Sequence, residues 1–253
     1  MMSSNFYDRV VKKFGASRID GKCVTDYPEG DPEAVFEMKL VELSGKEKGA
    51  LDVGCGDGGF TMRMAAHFRK VIGIDNGEER LKLAEVEKRT LGVENVRFEK
   101  QDAQHTTFAE DTFDIVYSRR GPTFYDELFR ITKSGGYFLT IGIGEKDAWG
   151  LKEFFGRGQG FWTWKTSALA QAKEILQRKG FVVLYGQDFL FDEYYASYDD
   201  LNRFLQGVPI FEDFDSEKDR RHLEAYAAKF QTDKGIHLPR HRFVAVAMKE
   251  REV

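Results

Sequence analysis

The chain has 253 residues, 42% of them hydrophobic and 32% charged, which describes a globular fold and excludes a disordered or fibrous chain. Its net charge of −4 offers no general field for polyanions, so nucleic acid would need a local basic patch. No apolar run is long enough to span a bilayer, the start Met1–Asn5 lacks a secretory apolar region, and Cys23 and Cys55 make no disulfide framework; the expectation is one domain in a reducing cytoplasm.

Phe6, Val10, Val11 and Phe14 recur at helical spacing and predict an amphipathic helix over residues 5–14. Tyr27-Pro28-Glu29-Gly30 reads as an extended loop. Asp31-Pro32-Glu33 then starts a helix with a capping acid and a proline at the first helical position, and Phe36, Leu40 and Leu43 carry it to Ser44-Gly45. The run from Leu51 to Phe60 reads as the end of a buried strand, a glycine turn and the start of a helix. Val71–Asp75 predicts a second parallel strand, Val96–Glu99 a third, Phe113–Ser118 a fourth and Gly136–Ile141 a fifth, entered through Ser134-Gly135-Gly136. A helix from about Thr166 to Lys179, closed by Gly180, precedes a sixth strand at Phe181–Tyr185, and the seventh is Arg242–Met248. More than fifty residues separate the last two strands. Helical patterns in Asp199–Gln206 and Ser216–Phe230 argue against a structureless loop there.

The glycine turn is the most informative stretch. Gly54, Gly56 and Gly59 satisfy the dinucleotide pattern, but Asp52 places a carboxylate two residues before the first glycine. That charge repels a pyrophosphate and attracts an ammonium, so a nucleoside carrying an amino acid fits better than a dinucleotide. S-adenosylmethionine is such a ligand. Asp75, 19 residues beyond Gly56, stands where a second strand presents an acid to ribose hydroxyls. Asp102 and Ala103 follow the third strand, where an acid and a small residue suit an adenine amino group and edge.

Through LDVGCGDGG, VIGID, the QDA triplet, FDIVYS and ITKSGGYFLT, in that order over Gly49 to Ile143, the chain resembles the class I S-adenosylmethionine-dependent methyltransferases. It looks most like the branch that includes quinone-biosynthesis and other small-molecule methyltransferases, with a weaker likeness to ribosomal-RNA guanine methyltransferases. The resemblance implies an α/β fold, a Rossmann-like doubly wound seven-stranded sheet whose last strand returns antiparallel beside the sixth. It also implies cofactor roles for Asp52, Gly54, Gly56, Asp75, Asp102, Ala103 and Ser118. Cys55 sits inside the turn as a small filler against the same ligand. Asn76 departs from the small or apolar residue of many relatives, and either bonds ribose or adenine or caps the following helix. The organisation expected is one methyltransferase domain, with lead-in helices over 1–47, a core over 48–191 and 240–253, and a helical cap over 192–239. In relatives such a lead-in folds over the cofactor, which makes Phe6, Tyr7 and Tyr27 lid candidates, unless they only pack the lead-in.

Around the methyl-transfer position the sequence leaves alternatives open. Arg119 and Arg120 follow the fourth strand and suit a carboxylate or phosphate of an acceptor, or else pair with a nearby protein acid. Asp192-Glu193-Tyr194-Tyr195 suits an acceptor wall, Tyr194 above all, or a solvent-facing edge. Phe161, Trp162 and Trp164 suit an aromatic wall, or a staple for the next helix. An oxygen or amide nucleophile would need a base, for which His105, Tyr27, Tyr194, His237 and Glu193 are candidates. No histidine has metal-ligand spacing, so no metal is expected. The leading expectation is a small-molecule methyltransferase. Its rivals are an RNA or protein methyltransferase, which Lys12, Lys13, Arg18, Lys22, Arg119, Arg120 and Arg157 would serve as a basic rim, a nicotinamide-dependent oxidoreductase, and a non-catalytic cofactor-binding module.

Overall fold

The computed structural model describes residues 4–15, 19, 21–163 and 165–250. Arg18 and Trp164 therefore lie outside the described residues. In chain order the elements are α1 (Ser4–Phe14), β1 (Cys23–Asp26), α2 (Pro32–Leu43), β2 (Gly45–Val53), α3 (Gly59–Ala65), β3 (Phe68–Asp75), α4 (Glu78–Leu91), β4 (Val96–Lys100), β5 (Phe113–Arg119), α5 (Tyr125–Ile131), β6 (Thr132–Ile143), α6 (Trp149–Phe155), α7 (Ala168–Arg178), β7 (Phe181–Tyr195), α8 (Tyr198–Gly207), α9 (Arg220–Lys229), β8 (Gln231–Thr232) and β9 (Gly235–Lys249). The chain divides into two compact units. The larger comprises Pro32–Gly142, Ala168–Asp188 and the residues from Phe243 onward; the smaller comprises those up to Asp31, Ile143–Ser167 and Phe189–Arg242.

The larger unit is a Rossmann-like α/β arrangement with strand order β7-β9-β6-β5-β2-β3-β4. β2 pairs in parallel with β3 and β5, β3 with β4, and β5 with β6. Parallel strands covered by helices on both faces need near-continuous apolar runs. Leu51, Val53, Ile74, Val116 and Phe138 supply them and form one buried cluster with Leu128, Ile131 and Leu176 of α5 and α7. From β2 the chain steps outward to β3 and β4, then crosses back to β5 on the other side of β2. That reversal is a switch point, and open α/β sheets bind ligands beyond the strand ends there. Pro32 opens α2, as its fixed φ favours, and Glu33 follows in the first turn.

The smaller unit is built around a second cluster in which Leu201, Phe204 and Leu205 of α8 meet Leu223, Tyr226 and Ala227 of α9 and Leu151 of α6. Ser197 caps α8, its hydroxyl accepting the Asp200 amide at 3.1 Å. On α1, Phe6 and Val10 pack with Ile19. β1 pairs antiparallel with the end of β7, Cys23 opposite Tyr195.

Several boundaries differ from those predicted. β7 runs on to Tyr195 instead of stopping at Tyr185, and β9 begins at Gly235 instead of Arg242. Residues 192–195 and 235–239 are thus strand, the former held by β1, a partner that lies far away in the chain. Tyr27–Gly30 is a turn closed by Gly30 N donating to Tyr27 O at 3.2 Å. α5, α6, β1 and β8 were not foreseen. Among the described residues no helix is long and apolar enough to cross a membrane.

Candidate functional site

The glycine turn lies in the larger unit, between β2 and α3. Gly54 N and Cys55 N both donate to Ile74 O, at 2.8 and 3.0 Å, which ties the turn to β3. Gly54 (φ 78°) and Gly56 (φ 59°) occupy the left-handed region, which glycine enters at no steric cost. Their missing side chains face different surroundings. A Cβ on Gly54 would meet Pro122 Cδ at 2.9 Å and Gly121 Cα at 3.1 Å, so this glycine admits the loop after β5. A Cβ on Gly56 would meet nothing within 4 Å. Gly58 and Gly73 instead make room for the Phe98 ring.

Two buried carboxylates flank the turn. Asp52 is 2% exposed, and its Oδ2 accepts from Thr61 Oγ1 of α3 at 2.7 Å. Burial pushes its carboxyl up to about 7, against the opposing pull of Thr61 and the more distant Arg119 charge. Asp75 is 4% exposed. Its Oδ2 accepts Gly56 N at 3.0 Å, and its Oδ1 accepts Gly77 N at 2.7 Å and Arg80 Nη2 at 2.6 Å. Cys55 is buried between them, and burial raises its thiol, with both carboxylates adding to the effect. That is the behaviour of an inert filler.

The remaining predicted cofactor residues are placed as follows. Asn76 is exposed and does not cap α4, whose N-cap is Gly77. Asp102 is exposed, with Oδ1 accepting Gln104 N at 2.9 Å, and Ala103 packs against the main core cluster. Ser118 is fully buried and donates to Pro122 O at 3.2 Å, so its hydroxyl shapes the loop that Gly54 admits. Beyond it, both arginines reach one carboxylate. Arg119 Nε lies 2.6 Å from Glu33 Oε2 and Arg120 Nε 3.3 Å from Glu33 Oε1, at the start of α2. Arg119 also lies 5.0 Å over the Phe60 ring, and Arg120 holds φ at 59°, a left-handed conformation unusual for its type. His105 is exposed beside Asp102.

The other predicted residues belong to the smaller unit. Tyr27 is 40% exposed with its ring 5.1 Å from Phe191. Tyr194 stacks on His237 at 5.2 Å, and His237 Nε2 is 2.5 Å from Asp192 Oδ1. Glu193 accepts from Arg240 at 2.5 Å and from Tyr195 at 2.8 Å. Asp192, Glu193 and His237 are thereby engaged in local pairs. Phe161 is buried and stacks on Trp149 at 5.1 Å, whereas Trp162 is 82% exposed, which favours a local packing role over an aromatic wall. Of the basic rim, Lys13 bonds Gln206, and Arg157 is held by Asp213 and Asp219. Thr61, Tyr117, Arg80 and Glu33 were missed. Nothing in their spacing marks them; strand register and helix placement bring them in.

The doubly wound sheet places an open-sided glycine at its switch point, where open α/β sheets bind ligands. Residues 44–154 match the family model described as a methyltransferase domain. The chain is 30% identical over 122 residues to the uncharacterized methyltransferase YcgJ of Bacillus subtilis, spanning 46% of this chain and 47% of that one. The YcgJ crystal structure superposes with a TM-score of 0.63 at 17% identity, over 87% of this chain and 100% of that one. A demethylmenaquinone methyltransferase of Geobacillus stearothermophilus is 29% identical over 120 residues, 44% of this chain and 51% of its own. A 23S rRNA (uracil(747)-C(5))-methyltransferase, RlmC of Vibrio vulnificus, is 38% identical over 74 residues, 28% of this chain and 20% of its own. The first two of these matches span about half the length of the curated relatives. Over residues 44–154 the chain is thus similar to methyltransferase domains.

Proposed function

We propose that the protein transfers the methyl group of S-adenosylmethionine to a small-molecule acceptor. The observation that carries this reading is Gly56: its side-chain direction is open, while its amide is fixed by a buried acid, Asp75. A ligand can therefore lie against this backbone without displacing protein. The cofactor supplies an electrophilic methyl on a sulfonium, so the chain's own task is to bind, orient and exclude water. Asp52 meets the α-ammonium. Asp75 receives the ribose diol, with Asn76, Asp102 and Ala103 at the adenine end. Ser118, bonded to Pro122, keeps the loop after β5 against Gly54. Arg119 or Arg120 contacts an anionic or polar group of the acceptor. Ammonium recognition also argues against a dinucleotide, whose pyrophosphate would be repelled by Asp52.

The net charge of −4 and the demethylmenaquinone methyltransferase relative support a small acceptor over RNA. Titration calorimetry should show binding of S-adenosylmethionine and of its demethylated product, and little binding of NAD. The reverse order would reject the cofactor. RNA filter binding that persists at physiological salt, with a steep salt dependence, would instead move the acceptor class toward the RlmC-like reading.

A further inference from the structure

Asp52 and Tyr117 are register partners on the adjacent parallel strands β2 and β5, so their side chains leave the sheet on one face. Tyr117 is fully buried, with its ring edge-on to Phe36 of α2 and Phe60 of α3. Among the described residues its hydroxyl meets no partner at full hydrogen-bond geometry, and the side chain it interacts with is Asp52. Such a group is costly to bury in an apolar setting, where phenylalanine would pack as well. The charge that acts on it most is Asp52, and Asp52 already holds the Thr61 hydroxyl at 2.7 Å. Two hydroxyls, from α3 and β5, thus address one buried carboxylate. We infer that Thr61 and Tyr117 are positioning residues for the cofactor's α-ammonium: their hydroxyls hold the Asp52 carboxylate ionised and aimed when the ligand arrives. This rests on the cofactor site proposed above.

The remaining charged or titratable groups that act on Asp52 are Arg119 on β5, Asp75 at the end of β3 and the Cys55 thiol in the turn. Arg119 is bonded to Glu33, so among the described residues no cation is given over to Asp52 alone. Burial brings its titration to about 7. Near neutrality the ligand-free protein therefore holds Asp52 partly protonated. Binding an ammonium selects the carboxylate, and the carboxyl proton leaves to solvent. Cofactor affinity is then linked to the ionisation of one residue, tuned by two neutral hydroxyls.

The test is the pH dependence of S-adenosylhomocysteine affinity, measured by calorimetry on the full chain from about pH 5.5 to 9. A bell is expected. Its acid limb belongs to Asp52 and falls about tenfold per pH unit below the midpoint, because only the ionised fraction binds. Its alkaline limb belongs to the ligand's own α-amine, a free amino-acid amine that loses its proton well above Asp52, and it is untouched by substitution. Thr61→Val and Tyr117→Phe should each move the acid limb to higher pH and leave the alkaline limb in place. Thr61→Ser, which keeps the hydroxyl, should retain the original acid limb, and Asp52→Asn should abolish it. Uniform weakening at every pH, or an unmoved acid limb in both variants, would reduce the two residues to packing and overturn the inference. Failure of the unaltered protein to bind the ligand at any pH would overturn the cofactor reading itself, and the inference with it.

Discussion

The Asp75 carboxylate accepts the amide of Gly56 at 3.0 Å through one oxygen and the Arg80 guanidinium at 2.6 Å through the other. The acid at the end of β3 is therefore a strut of the glycine turn as well as the candidate ribose acceptor. A ribose diol would share that carboxylate with a backbone amide the turn depends on, which couples the shape of the turn to the ligand.

Replacing Asp75 with Ala should remove both functions. Loss of charge-assisted bonds to the ligand costs about 1.5–3 kcal/mol, a drop of roughly ten- to a hundredfold in S-adenosylmethionine affinity. Stability of the ligand-free protein should fall as well, because Gly56 N, Gly77 N and Arg80 lose their shared acceptor. Calorimetry and urea unfolding measure the two effects separately. A variant that loses stability but keeps full affinity would move the ribose to another acceptor.

Much of this site was legible because a single stretch carried it. Asp52, Gly54 and Gly56 lie within five residues, and buried parallel strands advertise themselves as apolar runs such as Val71–Asp75. What escaped depended on register or on distant partners. Tyr117 is an unremarkable aromatic in FDIVYS until β5 is laid beside β2 and sets it opposite Asp52. Glu33 looks like a first-turn acid of α2, and it is one, yet it also gathers both arginines. The far half of β7 was hidden by Gln187, Asp188, Asp192 and Glu193, polar residues that read as loop, although β1 pairs with it. α6 gave no start signal, since Ala148 at its N-cap is left-handed and no side chain caps the helix; Leu151 holds it to the α8/α9 cluster instead.

The two arginines meeting Glu33 lead to a second expectation. The pair's side chains are 25% and 31% exposed, so solvent screening keeps each ion pair within about 1 kcal/mol of stability. Glu33→Gln should thus leave the fold nearly as stable in urea. It should also strengthen binding of inorganic phosphate, a probe for any anionic acceptor group, because Glu33 competes for the same guanidinium groups. Unchanged phosphate affinity would mark the cluster as an internal ion pair only.

Asp52 should carry a measurable cost in the ligand-free protein. Burial raises its carboxyl from 3.8 to about 7, so the folded state favours the protonated form. The sign follows: its contribution to stability is complete below about pH 4 and is lost as pH rises through 7. Asparagine mimics the protonated carboxyl, so Asp52→Asn should melt higher than the unaltered protein at pH 8, by an amount worth about 1 kcal/mol or more. At pH 5 the difference should shrink. Cofactor binding should be lost in the same variant, an exchange of function for stability. A variant less stable at pH 8 than the unaltered protein would mean that the Thr61 and Tyr117 hydroxyls outweigh the cost of burying the carboxylate.

In the smaller unit the opposite sign is expected at Asp147. It is 3% exposed, and its Oδ1 accepts from Arg242 Nη1 at 2.6 Å, Arg240 Nε at 2.9 Å and His241 N at 3.1 Å. Burial alone would raise its carboxyl, but the charges of Arg240 and Arg242 outweigh that and hold it far below the usual carboxylate range. Lys152 lies buried in the same cluster, and burial lowers its ammonium. Asp147→Asn keeps the shape and one acceptor but strips the charge that answers these cations. Removing one side of a buried pair typically costs about 3–5 kcal/mol. Guanidinium unfolding at pH 7 should show a loss of that size. Because the folded-state carboxyl is depressed, its contribution is present above about pH 4 and fades as pH falls below that. The gap between Asp147→Asn and the unaltered protein should therefore narrow from pH 7 to pH 3. A gap that stays constant over that range would assign the loss to altered packing around Arg240 and Arg242 instead of to charge.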